Sequence, residues 1–192
     1  MKHYLVALFV TLVASVGTAA AAEERVPVVS YDVSLIGVVD CADARAVVMD
    51  FSRPAKSIST AEAKAAAATF ATCERVKRMN VETTNVLRIL AAGAYMLAAQ
   101  DEPVDAAFAD LRNAGSEINQ LQRFTDVFEG RIPSITFDRM GSYDPASGVR
   151  PTIVGRTTVS FHSSRAYRSP YDELGNRLLQ RIAEQRYALE SR

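Results

Sequence analysis

The stretch Val86-Leu-Arg-Ile-Leu-Ala-Ala-Gly-Ala-Tyr-Met-Leu-Ala-Ala99 decides how the rest of the chain is read. Arg88 is its only charge, so as a helix it is apolar nearly all the way round, and such a helix is buried. It is shorter than the roughly 20 apolar residues that cross a bilayer, which makes it the central core helix of a bundle.

Working outward, residues 59–130 read as a helical core. Ser59-Thr-Ala-Glu62 has the spacing of a capping box, in which each side chain satisfies the other's backbone donor, and the alanine-rich run to Met79 suits a helix. Phe70, Cys73 and Val76 fall three apart on it. Asn80 offers a left-handed exit, giving helices over 60–79 and 81–100, with one continuous helix over 60–100 as the alternative. Pro103 suits a first helical position and opens a third helix to about Phe128, with a stripe of Val104, Phe108, Leu111, Gly115, Ile118 and Leu121. Gly130 and Ile132-Pro133 end it. Short links make the three helices antiparallel neighbours. Gly93 and Gly115 either permit close backbone approach or merely weaken their helices by up to about 1 kcal/mol each.

The flanks change period. Val29, Tyr31, Val33 and Leu35 alternate with polar residues, predicting a half-buried strand over 26–39. Residues 44–51 form a short helix or a strand, closed by Ser52-Arg-Pro54. A hairpin is expected over 132–162, with a turn-rich loop at 141–148 and a second strand from Val149 to His162. The apolar face of that strand carries Ile153, Val159 and Phe161, and its polar face Arg150, Arg156 and His162. A closing helix over 170–190 points Leu174, Leu178 and Ile182 inward. The predicted fold class is α+β: a mainly helical core of three consecutive antiparallel helices plus a C-terminal helix, with a small antiparallel sheet.

Lys2, an apolar run from Tyr4 to Val16 and then Gly17-Thr-Ala-Ala-Ala-Ala22 have the layout of a secretory signal peptide, so residues 1–22 are expected to be cleaved and 23–192 to form a single domain. The alternative is an uncleaved anchor. The mature chain then has two cysteines, Cys41 and Cys73, and a periplasmic or secreted location favours their pairing in a disulfide. No transmembrane span is expected after cleavage.

The 22 basic and 22 acidic residues balance, which gives no general attraction to nucleic acid. Chemistry-bearing motifs are scarce. After loss of His3, His162 is the single histidine, and there is no Gly-rich phosphate loop, Gly-x-Ser-x-Gly elbow or calcium loop, so no cofactor, metal or catalytic residue is assigned. His162 among Ser160, Ser163 and Ser164 reads foremost as a polar residue on a sheet face.

Charge distribution says more. Four arginines, Arg150, Arg156, Arg165 and Arg168, lie between Asp144 and Asp172 with no acid among them, whereas residues 23–50 carry six acids and two arginines. Either the basic segment, with His162 and Tyr167, binds an anionic partner, or the acidic N-terminal strand pairs with it inside one sheet. Tyr143 and Tyr171 lie near enough in sequence to add contact area. Arg88 reads as a paired buried charge or one that reaches the surface along its stem.

The function expected is that of an exported non-enzymatic binding protein, an adaptor, assembly factor, chaperone or inhibitor for another envelope protein, an acidic one included, or a binder of an anionic lipid headgroup. The alternatives are a lipid or small-ligand carrier with a pocket between helices and sheet, and a small hydrolase using carboxylates or Ser/His162.

Overall fold

The computed structural model describes residues 27–37, 39–54, 56–76, 81–122, 133–140, 153–161 and 170–191. In chain order these form β1 (Pro27–Tyr31), a 3-10 turn (Val33–Gly37), α1 (Ala42–Phe51), α2 (Thr60–Val76), α3 (Val81–Ala98), α4 (Val104–Asn119), β2 (Ile135–Met140), β3 (Ile153–Val159) and α5 (Pro170–Glu190). The fold class is the one read from the sequence, mainly helical with a three-stranded antiparallel sheet in the order β1-β2-β3. Residues 1–22, and with them the leader, lie outside the described residues.

α3 is the centre. Val86, Leu87, Ile89, Leu90, Ala92, Gly93, Ala94 and Met96 are all buried, and the elements around it close one core from Val29 to Leu189. α2 and α3 are two helices, not one. They run antiparallel, since Lys64 near the start of α2 pairs with Glu102 just beyond α3, and Glu74 near the end of α2 pairs with Arg88 early in α3. α4 reverses again, with Asn85 of α3 bonded to Gln122 beyond the end of α4. Gly93 is where the sheet meets the bundle: a Cβ there would lie 2.6 Å from Ile135 Cδ1 of β2, so the glycine makes room for the buried end of that side chain.

The capping box is present, Ser59 N–H donating to Glu62 Oε2 at 2.8 Å and Glu62 N–H to Ser59 Oγ at 3.2 Å. These bonds hold the Glu62 carboxyl below its usual pKa. Cys41 and Cys73 are disulfide-bonded with Cα atoms 6.1 Å apart. Cys41 sits at the N-cap of α1, so the bridge ties α1 to α2. Residues 44–51 belong to that helix. Beneath it Tyr31 stacks on Phe51 at 5.4 Å, meets Phe70 edge-on at 5.9 Å and donates its hydroxyl to Leu90 O at 3.1 Å, and burial pushes its phenol well above the ordinary range.

Four expectations are corrected. The first strand stops at Tyr31 instead of running to residue 39, because the Asp32 carboxylate accepts from Ser34 N–H at 2.8 Å and the Asp32 carbonyl from Leu35 N–H at 3.0 Å, which turns the backbone into a 3-10 coil while Leu35 stays buried. α4 ends at Asn119 and not near Phe128. Its last turn tightens, Leu121 N–H reaching Ile118 O at 3.2 Å, and the buried Asn85 amide takes both backbone groups of Gln122. Residues 123–132 are outside the described set. The α4 stripe is rotated from the one expected, with Ala107, Asp110, Leu111, Ala114 and Ile118 buried and Val104 exposed. Of the two readings of Gly115, close approach fails among the described residues, none of which lies within 4 Å of the place its Cβ would take.

Candidate functional site

The arginine-rich segment is only partly within the described residues. Arg150, His162, Arg165, Tyr167 and Arg168 fall outside them, as do Tyr143 and Asp144. Arg156 lies on β3 and its guanidinium grips Asp138 of β2 in a two-pronged pair, Nε to Oδ1 at 2.7 Å and Nη2 to Oδ2 at 2.8 Å. This settles its local partner: the charge that complements Arg156 comes from β2, since β1 pairs with β2 and not with β3. Thr136 and Thr158 bond across the same strands at 3.0 Å.

The expected face alternation on β3 fails at its start. Arg139 opposes Gly155 and Met140 opposes Ile153, so Val154 is an extra residue, and Ile153 is exposed while Val159 is buried. Tyr171, offered above as contact area, is fully buried. Arg88 is a paired charge, its Nη2 2.7 Å from Glu74 Oε1 and its Nη1 donating to Gln120 O.

Where α4 meets α5 the described residues form an open groove of about 520 Å³. Its walls come from the amphipathic patterns of the two helices: Leu111 and Gly115 from α4, Leu179, Ile182 and Ala183 from α5, with Ser116, Asn119 and Gln120 along one rim. Two arginines stand on it, Arg112 and Arg186. Phe108 lies one turn before Arg112, and the guanidinium carbon of Arg186 sits 5.8 Å from its ring centre, so the two cations share one end of the groove. Among the described residues neither arginine is paired with a carboxylate, and no acid lines the groove. Chemically this is an apolar strip with a doubled, uncompensated positive end, suited to an anion attached to an apolar body.

The buried counterpart is a cluster of Lys64, Glu102 and Asp110 between α2, the α3–α4 link and α4. Lys64 Nζ pairs with Glu102 Oε1 and lies 3.4 Å from Asp110 Oδ2. Desolvation, then the adjoining Glu102 carboxylate, push Asp110 up to about 6, against a smaller downward pull from Lys64. One lysine is shared by two acids, with Asp110 only 5% exposed and Lys64 reaching the surface, so burial and the second acid together favour the protonated form of Asp110.

Sequence reasoning missed the groove because Arg112 and Arg186 are far apart in the chain, and each reads alone as an ordinary exposed charge on its helix. The available signal is Phe108 and Arg112 four apart on the outer side of α4, which acquires meaning only when α5 is placed beside it. Among the described residues no helix is long and apolar enough to cross a membrane, and no group of three or more metal-ligating side chains converges. The chain matches no protein-family model, no curated protein and no solved structure.

Proposed function

We propose that this is an exported, non-enzymatic binding protein, serving another protein of the cell envelope as an adaptor, assembly factor, chaperone or inhibitor, and that it engages an acidic surface of that partner at the α4–α5 groove. One observation carries the reading: two arginines from different helices, neither paired with a carboxylate among the described residues, flank a shallow groove in which Gly115, Leu179 and Ala183 are accessible above the core residues Leu111 and Ile182. An anionic partner surface would complement both charges. Export is supported by the leader-like N-terminus and by the pairing of Cys41 with Cys73.

The test is a tagged full chain recovered from the cells that make it under gentle crosslinking, with bound proteins and lipids both identified. The expected result is one stoichiometric protein whose capture weakens in high salt and is lost when Arg112 and Arg186 are both replaced by glutamate. Lipid without protein, or capture indifferent to those replacements, overturns the proposal. Export is checked separately: the chain from the envelope fraction should begin at Glu23, and an intact N-terminus on cytoplasmic protein overturns that part.

A further inference from the structure

Resting on the binding reading above, we infer that the partner's docking element is an acidic amphipathic α-helix that lies between α4 and α5, its backbone against Gly115 and its carboxylates on Arg112 and Arg186. The groove runs from Leu111 to Gln120 on α4, about 14 Å at the rise of a helix, enough to seat between two and three turns of another. Its middle is low. Gly115 has open space where a side chain would stand, and Ala183 and Ser116 beside it are small, which lets a third helix axis approach closely. Glycine is the weakest helix former after proline, yet nothing among the described residues requires the missing Cβ at this position.

The chemistry of the walls distinguishes a helix from an extended peptide. Both walls are helices whose backbone groups are already bonded along their own axes, so the groove offers side chains and no sheet edge. A helix satisfies its own backbone there, whereas an extended segment does not. The charge end is prepared as well: Arg186 is held against the Phe108 ring, so less side-chain freedom is lost when its planar fork meets a carboxylate. Acids spaced three or four residues apart on the incoming helix would meet both arginines, with apolar residues at the same spacing over Gly115, the half-buried Leu179 and the exposed Ala183.

The experiment places a photoreactive p-benzoylphenylalanine at Asn119, an exposed rim position, in the full chain inside the producing cells, and identifies the crosslinked peptide by mass spectrometry. That segment is then synthesised and titrated onto the purified protein, following affinity and circular dichroism. The expected segment is acidic, has apolar residues at helical spacing and gains helicity on binding. Gly115→Leu, and separately Arg112→Glu with Arg186→Glu, should each weaken it at least tenfold, and Gly115→Ala no more than a few-fold. Thermal melting of each variant alone controls for folding, and should Gly115→Leu melt early, the arginine variants and the helicity change decide. A segment that stays extended when bound, or binds Gly115→Leu normally, overturns the inference while the binding reading stands. A lipid adduct alone, or no adduct at the rim, overturns both.

Discussion

Asp110 and Arg112 stand two residues apart on α4, yet one is buried against Lys64 and Glu102 and the other is exposed with no carboxylate beside it. The two mid-helix glycines divide the same way. Gly93 on α3 is filled by Ile135, and Gly115 on α4 borders open space. Asp110 and Gly93 thus meet partners inside the fold, whereas Arg112 and Gly115, among the described residues, face outward. A glycine or charge in a helical pattern therefore carries one of two meanings, internal fit or external reception, and the neighbouring element decides which.

The sharpest way to break the comparison is to fill both glycines alike. Gly93→Leu should destabilise the fold by about 3 kcal/mol, since the new side chain must displace Ile135 and shift β2. Gly115→Leu should not lower stability, and because leucine is nearly as good a helix former as alanine it should raise it by up to about 1 kcal/mol. Equal losses in urea melts of the two variants would abolish the distinction. Next in size is Asn85→Ala, which strands the amide and carbonyl of Gln122 at the end of α4 and should lower stability by about 2 kcal/mol, read from the same melts. A loss below about 0.5 kcal/mol would mean that the end of α4 is set by something else.

The buried acid gives a test by pH. Asp110 titrates near 6 when folded and near 3.8 when unfolded, so the folded chain holds its proton more tightly. Its contribution to stability is complete below about pH 3.8 and is lost as pH rises through about 6. Asp110→Asn should flatten that part of the stability profile between pH 4 and 7, and Arg112→Gln, its exposed neighbour, should leave it unchanged. An unaltered profile in Asp110→Asn would show that the proton resides elsewhere in the cluster. The smallest expected effect is a gain: Gly115→Ala should raise stability by up to about 1 kcal/mol, and a loss instead would reveal a packing need at that position.

What could be read in advance follows the range of the forces involved. The α2 capping box, the apolar run of α3, the Leu174-Leu178-Ile182 stripe of α5 and the Cys41–Cys73 pair are set by neighbours in sequence or by elimination, and all are present. The turn at Val33–Gly37 was hidden because Val33 and Leu35 alternate as a strand would, and a single Asp32 carboxylate diverts the chain. The end of α4 depends on Asn85, 37 residues away, and the groove on α5, farther still. Neither leaves a local mark. Of the basic segment singled out by charge, Arg156 proves to be matched within the sheet, while the arginines that stand unmatched lie on helices whose own composition is mixed.

The sheet order has a bearing on how the molecule comes into being. β1 is the first of these elements to be synthesised, but its only strand partner among the described residues is β2, more than a hundred residues later, as in the pairing of Tyr31 with Ile135. The helices between them and the Cys41–Cys73 bridge involve shorter separations and can form while β1 waits. Until the C-terminal half arrives, Val29 and Tyr31 have no sheet to join, and an unpaired apolar strand is the kind of segment that aggregates or attracts a chaperone. The earliest of these strands to emerge thus waits for a partner beyond four helices, and its edge stays exposed until β2 has been made.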